Sequence, residues 1–231
     1  MHIETSPTIN SLLKKISTYD QAADLDIIRL TYDFAKQAHE GQFRKSGEPY
    51  IIHPLAAAHI LADMRIDPVI IMATLLHDVP EDTSVTLDDI AKNFGDEIAS
   101  LVSGITKLGK LKYRGVERYL ENLRKMFVAM AEDIRVMIIK FADRIHNLST
   151  LSSLPPQKAY RIALESLEIY APIAGRLGMY QMKSMLEDLS FAYVFPKEYQ
   201  RTIALHKEKI AGKEQYFHEI QDIATKDIES A

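Results

Sequence analysis

Apolar positions recur at helical spacing almost everywhere along the chain. In DLDIIRLTYDFAKQAHEG, Ile27, Leu30, Phe34 and Ala38 fall on one face, and Gly41 supplies a stop. The loop QFRKSGEPY follows, rich in Gly, Pro and Ser, and a helix is expected to start near Pro54, a first-turn proline. Asp67-Pro68 reads as an N-cap followed by a first-turn proline, and the helix it opens, PVIIMATLLHD, is apolar nearly all round and therefore central. Thr86 caps TLDDIAKNFG, with Gly95 near its end, and residues 95–108 continue as helix. KLGKLKYRG breaks the pattern. VERYLENLRKMFVAMAE and DIRVMIIKFADRIHNLSTL are two long helices, LPPQ at 154–157 is a break, and helices from about Lys158 to Arg176 and from about Gln181 to Val194 follow. From Pro196 the chain turns polar and rich in Lys and Glu, with a thin apolar face. There is no internal repeat and no βαβ pattern. The expectation is an all-α fold, one domain over 1–195 and a helical extension over 196–231.

Composition narrows the function classes. The 231 residues suffice for one sizeable core. The formal charge of −4 argues against bulk nucleic-acid binding, so a phosphate ligand must be met by local basic residues. There are no cysteines, which excludes disulfides, thiolate metal sites and cysteine nucleophiles. The N-terminus lacks a signal-peptide layout, and no apolar run approaches the roughly 20 residues a membrane span needs. A cytoplasmic protein without membrane association is expected.

The chemistry concentrates in LLHDVPEDT. His77 and Asp78 end an apolar helix, so at least one of them starts inside the core. A buried carboxylate needs a charge partner or a metal. Imidazole and carboxylate together suit a divalent transition metal. A lone His-Asp pair is a weak signal, equally at home as a helix-terminal histidine beside a solvated aspartate. His53, just ahead of Pro54, and Asp143, in RVMIIKFADRIHNL, complete a metal set.

The helix carrying Asp143 has two stripes. Ile134, Ile138, Phe141, Ile145 and Leu148 form one; Val136, Ile139, Asp143, Asn147 and Thr150 form the other. The second begins apolar and turns polar midway, as expected of a helix lining a pocket. Lys140 and Arg144, the neighbours that could pair with Asp143, are read as pointing to other faces. A purely structural helical module does not explain Asp143 in such a helix. Glu81 and Asp82 lie one turn past His77, after Pro80, where they could orient or deprotonate water or protonate a leaving oxygen. They could equally cap the next turn with Thr83. Arg44 and Lys45 could stack on a base or clamp a phosphate. Lys107, Lys110, Lys112 and Arg114 form a second basic cluster, either phosphate-binding or a solvated face.

QAHEGQFRKSGEPYIIHPLA, LLHDVPEDT, ITKLGKLKY, FADRIHNLSTL and IYAPIAGRLGMYQMKSMLEDLSFAY together resemble the N-terminal hydrolase domain of the Rel/SpoT-homologue alarmone enzymes, a branch of the HD metal-dependent phosphohydrolases. The resemblance covers about residues 25–200 in one motif order. It implies an all-helical, manganese-dependent domain that removes pyrophosphate from the 3′ position of guanosine tetra- or pentaphosphate. It implies His53, His77, Asp78 and Asp143 as metal ligands and Glu81 and Asp82 as the catalytic acids. Arg44, Lys45, Ser46, Asn147, Thr150 and Leu154 are the implied nucleotide-binding residues. Gly175 stands where the family often has histidine, and Ser149 where a basic residue is common. Long relatives continue into a synthetase domain whose sequence blocks are not found by Ala231, so a fragment of a longer bifunctional protein is expected. A catalytically silent alarmone sensor and a hydrolase of another phosphorylated nucleotide also fit these residues.

Overall fold

The computed structural model describes residues 7–109, 124, 126–128 and 130–210. Its helices are α1 (Ile9–Ser17), α2 (Leu25–Ala38), α3 (Ile52–Asp63), α4 (Pro68–Leu76), α5 (Val79–Asp82), α6 (Leu87–Phe94), α7 (Asp96–Gly109), α8 (Arg135–Ser149), α9 (Pro156–Glu165), α10 (Ala171–Arg176), α11 (Tyr180–Val194) and α12 (Pro196–Ile210). Among the described residues the only extended pairing is an isolated bridge between Phe43 and Pro49. The all-α expectation holds. The KLGKLKYR cluster beyond Gly109, most of the helix expected over 116–132 and the tail beyond Ile210 lie outside the described residues.

Local chemistry explains the helix starts. The Asp67 carboxylate accepts the Val69 amide at 2.7 Å, and Pro68 gives up only an N–H that has no helical partner there. Thr86 and Asp89 cap each other reciprocally at the start of α6. α3 begins at Ile52, slightly ahead of the position expected from Pro54, because the first four amides of a helix need no internal acceptor and proline is tolerated among them. Gly95 separates α6 from α7 at a φ of 90°, in the left-handed region that glycine adopts without strain.

Three elements form the centre. Residues 53–62 of α3 and 70–76 of α4 are buried, and α8 is buried on most of its circumference. α3 packs against α1, α4 and α8; α4 also meets α2 and α7; α11 covers α8 from the other side and carries α9 and α10. α7 and α8 cross closely at Gly104, where an added Cβ would lie 2.6 Å from Val136 Cγ2.

Two local expectations are corrected. α2 does not bury the face expected: Ile28, Thr31 and Ala35 are buried, Ile27, Phe34 and Ala38 are at the flanks, and Leu30 is exposed. Small Ala35 and a Thr31 whose hydroxyl donates to the Ile27 carbonyl suit a face held between α1 and α4. The helix expected over 158–176 contains a π-helical turn, Ser166–Tyr170, closed by the Ala171 amide donating to the Ser166 carbonyl. Pro172 follows, a residue without an amide donor, and the widened turn accommodates it.

Candidate functional site

α4 stops at Leu76, and its last turn orients His77. His77 donates from Nδ1 to the Thr74 carbonyl at 2.7 Å, a last-turn carbonyl that otherwise accepts only the His77 amide at 3.5 Å. That fixes the tautomer: Nε2 carries a lone pair. His77 is 1 % exposed on its side chain, and Nε2 has no hydrogen-bond partner. It lies 3.1 Å from Asp78 Oδ1 and 3.9 Å from Asp143 Oδ1. A buried lone pair facing two carboxylates is unfavourable unless a proton or a metal cation sits between them.

His53 closes the group from α3. Its Nε2 is 3.2 Å from Asp143 Oδ1 and 3.6 Å from Asp78 Oδ2. His53, His77 and Asp143 each offer a ligand atom, all within 4.8 Å of one another. Two imidazoles and two carboxylates match the donor set of a divalent transition metal, so the cluster is able to hold such a cation. Burial opposes ionisation of Asp78, but His77, His53 and the Tyr50 hydroxyl outweigh it and keep its pKa below the usual carboxylate range. Burial also opposes ionisation of Asp143, and there the Lys140 ammonium and the His53 ring hold the pKa well down. Both carboxylates are therefore ready as anions.

Lys140 corrects an expectation. Its Nζ lies 2.6 Å from Asp143 Oδ2, not on another face, because residues three apart on a helix are neighbours. The contact leaves Asp143 Oδ1 turned toward the two histidines. Asn147 donates from Nδ2 to the same Oδ1 at 2.5 Å, and accepts from Arg44 Nη2 at 2.7 Å. Arg44 Nη1 is buried without a partner, so the guanidinium keeps a donor for a ligand.

His53, Asp78 and Asp143 line a pocket of about 690 Å³, with His77 behind them. Of the residues expected to bind nucleotide, Arg44, Lys45, Asn147, Thr150 and Leu154 line it. Ser46 is exposed at the loop tip and is not among the lining residues. The loop turns tightly there, with the Gly47 amide donating to the Arg44 carbonyl and Gly47 at a φ of 89°. Asp82 lines the pocket; Glu81 stands beside it and is exposed overall. Partial burial of the Glu81 carboxyl and the charge on Asp78 push its pKa up.

Several contributors escape the sequence reading. The Tyr50 hydroxyl lies 2.9 Å from Asp78 Oδ2 and 2.8 Å from Asp82 Oδ2, donating its one proton between them. His146 Nδ1 meets His53 Nδ1 at 2.7 Å. Lys140, Arg144 and Lys158 add positive charge to the wall. Arg144 is fixed by the Tyr170 ring, 4.1 Å from its guanidinium carbon, and by Glu165 at 3.5 Å. The π-helical turn carries Tyr170 to this position. A signal existed for His146, one residue before Asn147 on the same helix, but its partner is 93 positions away.

A sequence profile described as HD domain matches residues 31–180. The chain belongs to the HD domain family. Within it, the chain is 51 % identical over 191 residues to the bifunctional (p)ppGpp synthase/hydrolase SpoT of Escherichia coli (strain K12), covering 82 % of the chain and 27 % of that protein. It is 45 % identical over 212 residues to a GTP pyrophosphokinase of Myxococcus xanthus, covering 90 % of the chain and 28 % of that protein. The HD domain chain thus spans little more than a quarter of these relatives. A solved structure described as a metazoan ortholog of SpoT that hydrolyzes ppGpp shares the fold, with a TM-score of 0.57, 24 % identity, and coverage of 71 % of this chain and 93 % of that one. No helix among the described residues is long and apolar enough to cross a membrane.

Proposed function

We propose that this HD domain hydrolyses the 3′-pyrophosphate of guanosine tetra- and pentaphosphate, giving GDP or GTP and pyrophosphate, with manganese as the working ion. The observation that carries the reading is the buried His53–His77–Asp143 cluster, with half-buried Asp78 beside it, at a pocket whose wall presents Arg44 with an unpartnered guanidinium nitrogen. The names of the relatives support the choice of substrate. Their greater length supports placing the chain as the hydrolase part of a longer protein that also carries a synthetase.

The roles follow from position. Arg44 and Lys45 hold the nucleotide at the loop side, with Asn147, Thr150 and Leu154 as the facing wall. Lys140 and Arg144 offset phosphate charge from α8. A divalent cation held by His53, His77, Asp78 and Asp143 would supply positive charge to the phosphoryl oxygens and acidify water. Glu81 and Asp82 orient that water and move its proton, with Tyr50 holding the Asp82 carboxylate in place. Water adds to the phosphorus bonded to the ribose 3′ oxygen, the bond from that oxygen to phosphorus breaks, the 3′ oxygen gains a proton, and pyrophosphate leaves.

The test is product formation from ppGpp by the purified chain, with manganese and with chelator, resolved by anion-exchange chromatography. GDP and pyrophosphate, lost on chelation, are expected. Intact ppGpp with folded, manganese-loaded protein would overturn the reading in favour of a nucleotide sensor. Turnover of another 3′- or 2′-phosphorylated nucleotide in preference to ppGpp would overturn the substrate assignment.

A further inference from the structure

The loop that carries Arg44 and the turn that carries Asp82 are joined by a chain of hydrogen bonds. Gln42 Nε2 donates to the Asp82 backbone carbonyl at 2.7 Å. That carbonyl can only accept, so the orientation of the Gln42 amide is set, and Gln42 Oε1 faces His39 Nδ1 at 2.8 Å. Oε1 can only accept in turn, so His39 carries its proton on Nδ1. His39 is 3 % exposed and sits at the C-terminal cap of α2, where its amide donates to the Ala35 carbonyl. Its ring stacks on Tyr50, centroids 4.5 Å apart and planes at 22°. Tyr50 in turn shares its hydroxyl proton between Asp78 and Asp82.

Asp82 is therefore gripped at two points from one place. Gln42 holds its backbone, Tyr50 holds its carboxylate, and His39 supports both. α5 has only four residues and exposed acids, so its own turn offers little to fix those carboxylates. We propose that His39 and Gln42 are positioning residues that hold the Glu81–Asp82 turn in register with the metal-type cluster and with the Arg44 loop. Neither side chain lies among those lining the pocket. The inference rests on the hydrolase reading for its kinetic consequence, but the brace itself has an independent readout.

Two variants test it. Gln42→Met keeps length and removes both bonds; His39→Phe keeps a ring against Tyr50 and removes only the bond to Gln42. With ppGpp and manganese, Gln42→Met is expected to lower kcat by about 100-fold, the size of effect that a displacement near 1 Å produces, with KM changed little. His39→Phe should lower kcat less, and the double variant should match Gln42→Met, because both changes cut one chain. Manganese affinity by calorimetry should be unchanged in both. Amide hydrogen exchange over 79–83 should accelerate in both. Wild-type kcat in Gln42→Met, a loss that merely follows weakened manganese binding, or unaltered exchange over 79–83 each overturns the proposal. If the wild-type chain leaves ppGpp intact, the hydrolase reading fails separately, and the exchange experiment still decides the brace.

Discussion

His53 and His146 meet nitrogen to nitrogen, Nδ1 to Nδ1, at 2.7 Å inside the protein. One proton fits between them. With His53 as the donor, its Nε2 lone pair faces Asp78 and Asp143, the arrangement a cation requires. His146 is then the acceptor that fixes the ring. His146→Phe should weaken manganese affinity by about 10- to 100-fold, the usual consequence of losing the partner of a ligating histidine. Titration calorimetry reads this, and affinity within twofold of wild type would sink the idea.

The same burial predicts a pH dependence. Burial, then the neighbouring His53 and Arg44 charges, pull the His146 pKa from 6.5 down to about 3. His53 is lowered too, by burial first. The unfolded chain then binds protons that the folded chain refuses. This stability is present in full above pH 6.5 and is lost as pH falls toward 3. In chelator, urea unfolding between about pH 7.5 and 4.5 should show stability falling by up to about 1.4 kcal/mol per pH unit through His146, with His53 adding to the loss in the same direction. Asp78 and Asp143 add their loss only as pH falls below 3.8, so the interval from pH 7.5 to 4.5 reads the histidines apart from these two carboxylates. A flat profile above pH 4.5 would contradict the assignment.

The proposed ligand and acid roles separate by substitution. Asp78→Ala should abolish cation binding. Glu81→Gln should keep the cation and lower turnover by about 10²- to 10⁴-fold, the range for a proton-transferring group. A Glu81→Gln protein that cannot be loaded with manganese would count against this division.

Two glycines make opposite predictions. A Cβ at Gly104 would sit 2.6 Å from Val136 Cγ2, a short buried side chain that cannot move away. Gly104→Ala should cost about 1–3 kcal/mol through overpacking. A Cβ at Gly175 would meet the Lys183 side chain, Cδ nearest at 3.1 Å, which is flexible and partly exposed. Gly175→Ala should be neutral or stabilise by up to about 1 kcal/mol, since alanine favours the helix. Chemical denaturation of both variants checks the pair; equal effects would show that the α7–α8 approach is not the constraint.

The sequence by itself determined what local physics controls. Helical periodicity, the Asp67-Pro68 cap and the Thr86 capping box specify where helices begin, because each partner lies within a turn. The apolar run ahead of His77 and Asp78 required at least one of them to start inside the core, and the polar turn of the α8 stripe pointed Asp143 and Asn147 into a pocket. Tertiary structure alone decided which side chains complete one another across the fold. Tyr50 reaches Asp78 and Asp82, and His146 reaches His53, over separations that no periodicity encodes. It also chose the face of α2 that packs, since small Ala35 and self-satisfied Thr31 suit the space beside α4 better than the bulkier residues of the expected stripe. Lys140 shares the Asp143 face by helix geometry, but its ion pair depends on a buried setting that excludes water and leaves the carboxylate as its partner.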